Sequence, residues 1–450
     1  MTTKIASAKR ESPPGPKGLK NAQILWQLNR QPLAAIQALV QTYGDLVHVH
    51  LGPYRLYFLN HPEYLHEILV RQADKMQKPR NLSRPIADFL GTGLLISHGQ
   101  YWKHQRQIMQ PAFHHQQINN YINTMLACVQ ETIEKWNDGD ILDIDHEFMK
   151  LTLKMVTRTL FSADLSHTGD AIAHAVKILQ RISYDQGQAP LRIPTRVPLP
   201  NHLRKQRAIK LLDQMVMQII QERRQSKSEK TDLLNTLINA VDMEGQPLSD
   251  QQIRDEVMTI LLAGHESTAN AMTWMWYLLA QHPPVETSLA QELSLILDCK
   301  PLTAETLRQL TYTGMVVNEA LRLYPPAWAL PREATENVII GDYVIGKGSL
   351  LFGVPYIIHR DPRYYKDPES FVPERFANAR EMPRHTYLPF GGGPRYCIGN
   401  NFALVAMQIA LAAIHQHFRF QIIEEQEIVL DPLLTLRPRF GLHMRLISHG

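Results

Sequence analysis

The chain has 450 residues, which is long enough for a large hydrophobic core in one extended domain or two fused lobes. Its formal net charge of +4 and its charged fraction of 20% are ordinary for a globular protein, so the composition gives no indication of nucleic-acid binding. The three cysteines, Cys128, Cys299 and Cys397, are too few for a disulfide framework and are typical of a reducing compartment.

The beginning of the chain predicts a short leader followed by one large domain. Residues 1–10 contain no apolar run as long as a signal peptide or a membrane anchor, so we expect a cytoplasmic protein without an integral membrane anchor. Residues 13–18 are rich in proline, which cannot continue a helix, and we predict a flexible Pro-rich leader over 1–18. A single domain is predicted over 19–450.

The residue pattern of this domain changes along the chain. Alternating apolar residues on either side of Gly52 and Pro53 predict a β-hairpin over 46–59. Residues 100–330 have a mostly helical pattern, which prolines interrupt between 186 and 200. Strand-like patterns return over 338–354 and 421–450. The sequence therefore predicts a mainly α protein with a smaller β portion.

A long helix is predicted to begin near residue 249 and to continue for about 33 residues. Ser249 and Gln252 have the spacing of a capping box, and no proline follows before Pro283. The middle of this segment is apolar on nearly all sides, so the helix belongs in the protein interior.

Small and polar residues at the centre of this helix are unfavourable there and indicate a functional site. A glycine inside a helix costs about 1 kcal/mol relative to alanine, and a buried carboxylate must be neutralised or hydrogen-bonded. Ala263 and Gly264 would leave a flat patch where a planar cofactor or O2 approaches the backbone. Glu266 is a candidate proton carrier. Ser267 is placed to hydrogen-bond back to the Ala263 carbonyl.

The same residues of the central helix allow other interpretations. Glu266 would then be a structural acid in a salt bridge, and His265 would satisfy a neighbouring polar group. His265-Glu266 also begins a pattern close to the H-E-x-x-H motif of zinc proteases. Ala269 stands where the second histidine ligand would be, which excludes that motif.

Residues 390–399 place a single cysteine at the end of a glycine-rich turn. No second cysteine lies near Cys397 in the sequence, which excludes a local redox pair or a four-cysteine zinc site. Backbone N–H groups of a tight loop stabilise a thiolate, and glycines let a flat cofactor approach. Tyr396 stands where a dinucleotide-binding loop would need its third glycine. Haem fits these features, with Arg395 facing a propionate; a buried structural cysteine is the alternative.

This loop resembles the haem-thiolate loop of the cytochrome P450 superfamily, in which an aromatic residue, glycines, an arginine and a cysteine recur at fixed spacing. The matching positions are Phe390, Gly393, Arg395, Cys397 and Gly399. The resemblance implies the cytochrome P450 fold, with haem b lying between the long central helix and the cysteine-bearing loop. It also implies that Cys397 is the metal ligand and that Phe390, Arg395 and Gly399 bind the cofactor.

The central helix resembles the oxygen-binding helix of the same superfamily. The resemblance implies that Ala263 and Gly264 contact the haem and that Glu266 and Ser267 are the catalytic acid and alcohol. Thr268 is the alternative alcohol. Serine departs here from the commoner threonine. Because serine lacks the methyl group that restricts the rotamer, we expect looser coupling of oxygen activation to product formation.

Two further segments resemble the scaffold and the propionate-binding helix of the family. Glu319-x-x-Arg322, with Arg375 downstream, would form a buried ion network that supports the cysteine-bearing loop. Trp102 and Arg106 share one helical face and would bind a haem propionate.

Arg332 would be another propionate partner, so that it, Trp102, Arg106 and Arg395 would surround the two propionates.

The function implied by the resemblance is that of a haem-thiolate monooxygenase, which inserts one oxygen atom of O2 into a C–H bond of a hydrophobic substrate. A long-chain fatty acid is the expected substrate, and a terpenoid, retinoid or polyketide is the alternative. Electrons would come from a separate ferredoxin or flavodoxin-type partner, steered by Lys103 and Arg106. A peroxide-using enzyme or isomerase and a non-catalytic haem sensor are the other classes, but neither accounts for an acid and an alcohol in the central helix.

Overall fold

The computed structural model describes residues 12–52, 54–165, 168–188, 197, 199–226, 230–298 and 300–449. Within these residues there are sixteen α-helices and twelve β-strands, which confirms a mainly α protein with a smaller β portion. The helices are Leu19–Arg30 (α1), Pro32–Tyr43 (α2), Pro62–His66 (α3), Arg80–Leu90 (α4), Gly99–Met109 (α5), His115–Ile133 (α6), Ile144–Leu160 (α7), Gly169–Gln188 (α8), Pro200–Gln225 (α9), Leu233–Ile238 (α10), Asp250–Gln281 (α11), Pro283–Leu297 (α12), Ala304–Gln309 (α13), Thr311–Leu323 (α14), Pro355–Ile358 (α15) and Asn400–His415 (α16). The strands are Leu46–Leu51 (β1), Tyr54–Leu59 (β2), Met76–Gln77 (β3), Ile141–Asp143 (β4), Leu330–Ala334 (β5), Val338–Ile340 (β6), Tyr343–Ile345 (β7), Leu350–Gly353 (β8), Phe418–Ile422 (β9), Leu430–Pro432 (β10), Leu436–Pro438 (β11) and His443–Ser448 (β12).

The described residues group into two compact units. The first unit comprises the described residues of 1–83 together with Ala327–Ser370 and Asn378–Cys397. The second unit comprises the described residues of Arg84–Pro326, Phe371–Ala377 and 398–450. A single domain over 19–450 stays a prediction. Of the predicted leader, residues 1–11 lie outside the described residues, and at its described end the Pro14 carbonyl accepts a hydrogen bond from the His48 N–H (2.8 Å).

The first unit is built on a five-stranded sheet in the order β1-β2-β8-β5-β3. Strands β1 and β2 form the predicted hairpin, with Leu46 opposite Leu59. Successive side chains alternate between the two faces of a strand. Accordingly, Tyr57 and Leu59 join one apolar cluster, and Phe58 joins the other. The sheet therefore has a buried core on each face.

The second unit holds most of the helices, and α11 lies at its centre. The predicted capping box is confirmed: the Ser249 N–H donates to Gln252 Oε1 (2.9 Å), and the Gln252 N–H donates to Ser249 Oγ (3.3 Å). The helix packs against α7, α9, α14 and α16. The hairpin of β10 and β11 lies against it, because the Trp274 indole N–H donates to the Leu436 carbonyl (3.0 Å).

The predicted ion network is also confirmed and lies in this unit. Glu319 and Arg322 are fully buried on α14, and Arg322 donates to both carboxylate oxygens of Glu319 at 2.7 Å. Arg375 Nε (3.3 Å) and the Val372 N–H (2.9 Å) also donate to Glu319. A buried charge is tolerated when each of its hydrogen-bonding atoms is paired, as here. The network fixes the short 3₁₀ helix Pro373–Phe376 to α14.

Candidate active site

The loop that carries Cys397 is closed by two backbone hydrogen bonds. The Cys397 N–H donates to the Phe390 carbonyl (3.0 Å), and the Tyr396 N–H donates to the Gly393 carbonyl (3.0 Å). The Phe390 and Tyr396 rings meet edge to face, 6.3 Å apart between centroids. The Cys397 side chain is exposed and forms no disulfide with the other described cysteine, Cys128. The loop therefore holds the sulfur in a defined and accessible position.

Two glycines of this loop adopt a backbone conformation that favours glycine, and one of them also allows a close backbone contact. Gly391 and Gly393 both have positive φ, +74° and +68°, which side chains rarely tolerate. A Cβ on Gly393 would lie only 1.8 Å from the carbonyl oxygen of Leu69, in the π-helix Glu67–Arg71. A Cβ on Gly391 would lie 3.7 Å from its nearest neighbour, a Leu330 methyl group. Gly393 thus allows the loop to lie directly on the π-helix.

Three cationic residues of the first unit lie close together. Strand β3 pairs antiparallel with β5, and Gln77 lies opposite Glu333. One residue further along this register, Lys78 lies beside Arg332, because paired positions move in opposite directions along antiparallel strands. The Glu333 carboxylate is turned to Gln77 Nε2 (3.1 Å) and to the Arg80 N–H (2.9 Å). Arg395, from the cysteine-bearing loop, completes the cationic cluster.

The electrostatics of the cationic cluster favour an anionic ligand. Burial, together with the positive charges of Arg332 and Arg395, lowers the pKa of Lys78 to about 7. Burial also lowers the pKa of Arg332, which is 6% exposed, to about 10. Like charges in a poorly solvated place destabilise one another, so a bound dianion would stabilise all three.

The centre of α11 exposes one narrow patch. Every residue of the helix from Ile253 to Trp276 is buried except Ala263, Gly264 and Ser267, which share one face. The predicted bond from Ser267 Oγ to the Ala263 carbonyl is confirmed at 2.7 Å.

Thr268 also bonds back to the helix, through the Gly264 carbonyl (2.8 Å), but its side chain is buried. Ser267, rather than Thr268, therefore presents an accessible hydroxyl.

Gly264 also serves the packing of α11. A Cβ at this position would lie 3.2 Å from Val156 Cγ2 on α7. The absent side chain thus brings α7 close to α11, while the neighbouring Ala263 is the most exposed residue of the patch. The helix pair is held further by Thr152, whose hydroxyl donates to the His265 carbonyl (2.9 Å).

Glu266 is buried beside this patch, and its charge is only partly compensated. Burial raises the pKa of Glu266 to about 7; a hydrogen bond from Thr435 and the charge of Arg437 oppose the rise, and the charge of Asp145 adds to it. The Thr435 hydroxyl donates to Glu266 Oε1, and Asn270 Nδ2 donates to Thr435 Oγ1 (2.9 Å). Glu266 forms no salt bridge with any described residue, and near neutral pH it exchanges between its acid and carboxylate forms.

The His265 ring contacts a backbone carbonyl of its own helix, which fits the structural interpretation. The ring is completely buried, and Nδ1 contacts the Leu261 carbonyl at 3.0 Å. Burial lowers the pKa of His265 to about 4, so the imidazole is neutral at physiological pH.

The remaining candidate residues belong to the second unit. Trp102 and Arg106 are on α5, with the Arg106 guanidinium carbon 5.9 Å from the centroid of the Trp102 ring. Gly399 immediately precedes α16, and its carbonyl accepts the Ala403 N–H (2.9 Å). As the sequence predicted, Trp102 and Arg106 share one helical face.

Sequence reasoning assigned no chemical role to three residues of the site, Lys78, Asn270 and Thr435. Lys78 gives no signal of its own, because its neighbours depend on the pairing of two short strands that are far apart in the chain. Asn270 follows Glu266 by four residues on one helical face, a spacing that places polar side chains side by side. That spacing was the available signal.

The site and the fold together define a family. The chain belongs to the cytochrome P450 family, whose model matches residues 13–443. Proteins of this family carry a haem with a cysteine thiolate ligand. The loop at Cys397 and the patch on α11 are the elements expected of such a protein.

Several named proteins are similar over nearly their whole length. Cyclooctatin synthase of Streptomyces melanosporofaciens is 36% identical over 94% of this chain and 92% of its own. Cyclooctat-9-en-7-ol 5-monooxygenase of the same organism is 35% identical over 90% of this chain and 87% of its own. Pentalenene oxygenase of Streptomyces avermitilis is 31% identical over 94% of each chain.

These relatives establish the class of reaction and bear on the expected substrate. The chain is a cytochrome P450 monooxygenase, as the sequence indicated. The names of the relatives favour the terpenoid alternative over the fatty-acid substrate, which they do not support. Among the helices of the described residues, none has the length and apolar character needed to cross a bilayer.

Replacement of Gly393 by alanine should unfold the cysteine-bearing loop, because the new methyl group would overlap the Leu69 carbonyl. Gly391→Ala is the matched control: it has the same left-handed strain, about 1–2 kcal/mol, without the overlap. We expect Gly393→Ala to lower the midpoint of urea unfolding clearly more than Gly391→Ala does. Equal effects would show that the close approach to Leu69 is unimportant.

Proposed function

We propose that the chain binds haem b, with Cys397 as the thiolate ligand of the iron. The residues present fit the group: the cysteine is exposed on a tight glycine-rich loop, and the cationic cluster of Lys78, Arg332 and Arg395 suits two propionates. Trp102 and Arg106 are proposed as further propionate partners. The bound haem would supply the redox chemistry of O2, which thiolate ligation favours.

The observation that carries the proposed oxygenase site is the combination of a buried acid and an accessible alcohol at the centre of α11. Glu266, with a pKa of about 7, holds or releases a proton at neutral pH. The Ser267 hydroxyl donates its hydrogen to the Ala263 carbonyl. The lone pairs of the Ser267 oxygen are therefore presented on the accessible patch and can accept a hydrogen bond. Ala263 and Gly264 carry no side chain that would obstruct this patch.

We propose a cyclic terpenoid as the substrate, hydroxylated at a C–H bond. This proposal draws on the three relatives, which are named for cyclooctatin, cyclooctat-9-en-7-ol and pentalenene. A separate ferredoxin or flavodoxin-type protein is proposed as the electron donor, with exposed Lys103 and neighbouring bases on α5 attracting an acidic partner.

Haem affinity should depend on the protonation of Lys78. Without an anion its pKa is about 7, and propionate binding would raise that pKa. Haem affinity should therefore be highest below pH 7. It should fall as the pH rises from 7 toward the pKa that Lys78 has in the haem-bound protein. The rate of haem transfer to apomyoglobin, measured from pH 6 to about pH 9, checks this.

Lys78→Gln should weaken haem retention and flatten this pH dependence. Lys75→Gln is the matched control, because the Lys75 ammonium is paired with the Glu336 carboxylate at 2.8 Å. An unchanged pH dependence in Lys78→Gln would contradict the assignment of Lys78 to the propionates.

The substrate class is tested by competition. The haem-loaded chain is supplied with NADPH, a ferredoxin and its reductase, oxygen-18-labelled O2, and equal amounts of cyclic terpene hydrocarbons and palmitate. We expect terpene alcohols with one labelled oxygen atom and little hydroxylated palmitate. Hydroxylation of palmitate alone would restore the fatty-acid expectation. Full-rate turnover with hydrogen peroxide in place of NADPH and ferredoxin would contradict the need for a redox partner.

A further inference from the structure

The carboxyl group of Glu266 is bonded to a side chain from outside its own helix. Thr435 lies in the turn between β10 and β11, and its hydroxyl donates to Glu266 Oε1. Asn270 Nδ2 donates to the same hydroxyl oxygen at 2.9 Å. A threonine hydroxyl has one hydrogen, and the amide already occupies a lone pair of its oxygen. The hydrogen of Thr435 is therefore directed at Glu266.

The turn that carries Thr435 is fixed on both sides. The Leu436 carbonyl accepts the Trp274 indole N–H (3.0 Å), and the Leu436 N–H donates to the Pro326 carbonyl (3.0 Å). Asn270 and Glu266 are one helical turn apart on α11, so Thr435 contacts both without bending the helix. The hydroxyl is consequently held in one place relative to the carboxyl group.

Charged groups also face Glu266, but each is engaged with a partner of its own. Arg437 on β11 contacts Asp431 (3.3 Å), and Asp145 on α7 contacts Lys177 of α8 (3.2 Å). On its own helix, the adjacent His265 is neutral at physiological pH. Thr435 makes the direct hydrogen bond, and a bond to the charged form of an acid favours that form.

We infer that Thr435 is a positioning residue for proton transfer by Glu266: it keeps Oε1 as a hydrogen-bond acceptor and leaves Oε2 as the oxygen that carries the proton. The inference rests on the proposed role of Glu266 as a proton carrier. Without the hydroxyl, the carboxylate of Glu266 would lose its direct hydrogen-bond donor. The protonated acid would then hold its proton too strongly to deliver it at neutral pH.

The test is an infrared titration of the haem-loaded ferric protein. The protonated carboxyl band of Glu266 is identified by its loss in Glu266→Gln, which also separates it from the propionates. Thr435→Val replaces the hydroxyl with a methyl group of equal size, and Thr435→Ser keeps the hydroxyl. We expect the midpoint of the Glu266 titration to rise by about one pH unit in Thr435→Val and to stay close to wild type in Thr435→Ser.

An unchanged midpoint in Thr435→Val would overturn the inference, as would equal shifts in the valine and serine variants. If Thr435→Val does not fold, Thr435→Ala removes the same hydroxyl and is held to the same expectation. The titration needs no substrate and no turnover. A chain that shows the expected midpoints but oxidises no substrate would contradict the proposed function and leave the Thr435 contact established.

Discussion

Burial of the Glu266 carboxyl group at the centre of α11 is the constraint on which the proposed chemistry of this protein depends. An unpaired carboxylate in an apolar interior is strongly disfavoured, and here it is stabilised by one hydroxyl donor and by the more distant charge of Arg437. The balance leaves Glu266 with a pKa of about 7. A group with that pKa exchanges protons readily at neutral pH, which suits a proton carrier.

A similar physical argument applies to the cationic cluster. Burial, together with the positive charges of Arg332 and Arg395, lowers the pKa of Lys78 to about 7. Proteins keep such an arrangement where function requires it, and perturbed groups accordingly concentrate at functional sites. Two of the perturbed groups, the acid Glu266 and the base Lys78, are proposed to meet different requirements of haem chemistry: proton delivery and the binding of propionates.

Features set by neighbours in the sequence could be predicted from it. The capping box at Ser249, the bond from Ser267 to Ala263 and the ion pair of Glu319 with Arg322 all join residues three or four positions apart. The spacing at Cys397 predicted the family for the same reason. The positions of Lys78 and Thr435 could not be predicted, because they depend on strand register and on a hairpin that meets α11 from a distant part of the chain. Substrate class also depends on such distant contacts, whereas the fatty-acid expectation drew on the local resemblance of residues 263–266 to fatty-acid-hydroxylating members of the family.

The central claim, that Cys397 ligates the haem iron, is tested most directly by the absorption spectrum of the reduced, carbon monoxide-bound protein. Wild type and Cys128→Ser, which alters a buried cysteine outside the site, should show the strongly red-shifted Soret band of a thiolate-ligated haem. Cys397→Ser should lose that band even if it retains haem. A thiolate-type band that persists in Cys397→Ser, or its absence from the wild-type protein, would contradict the account.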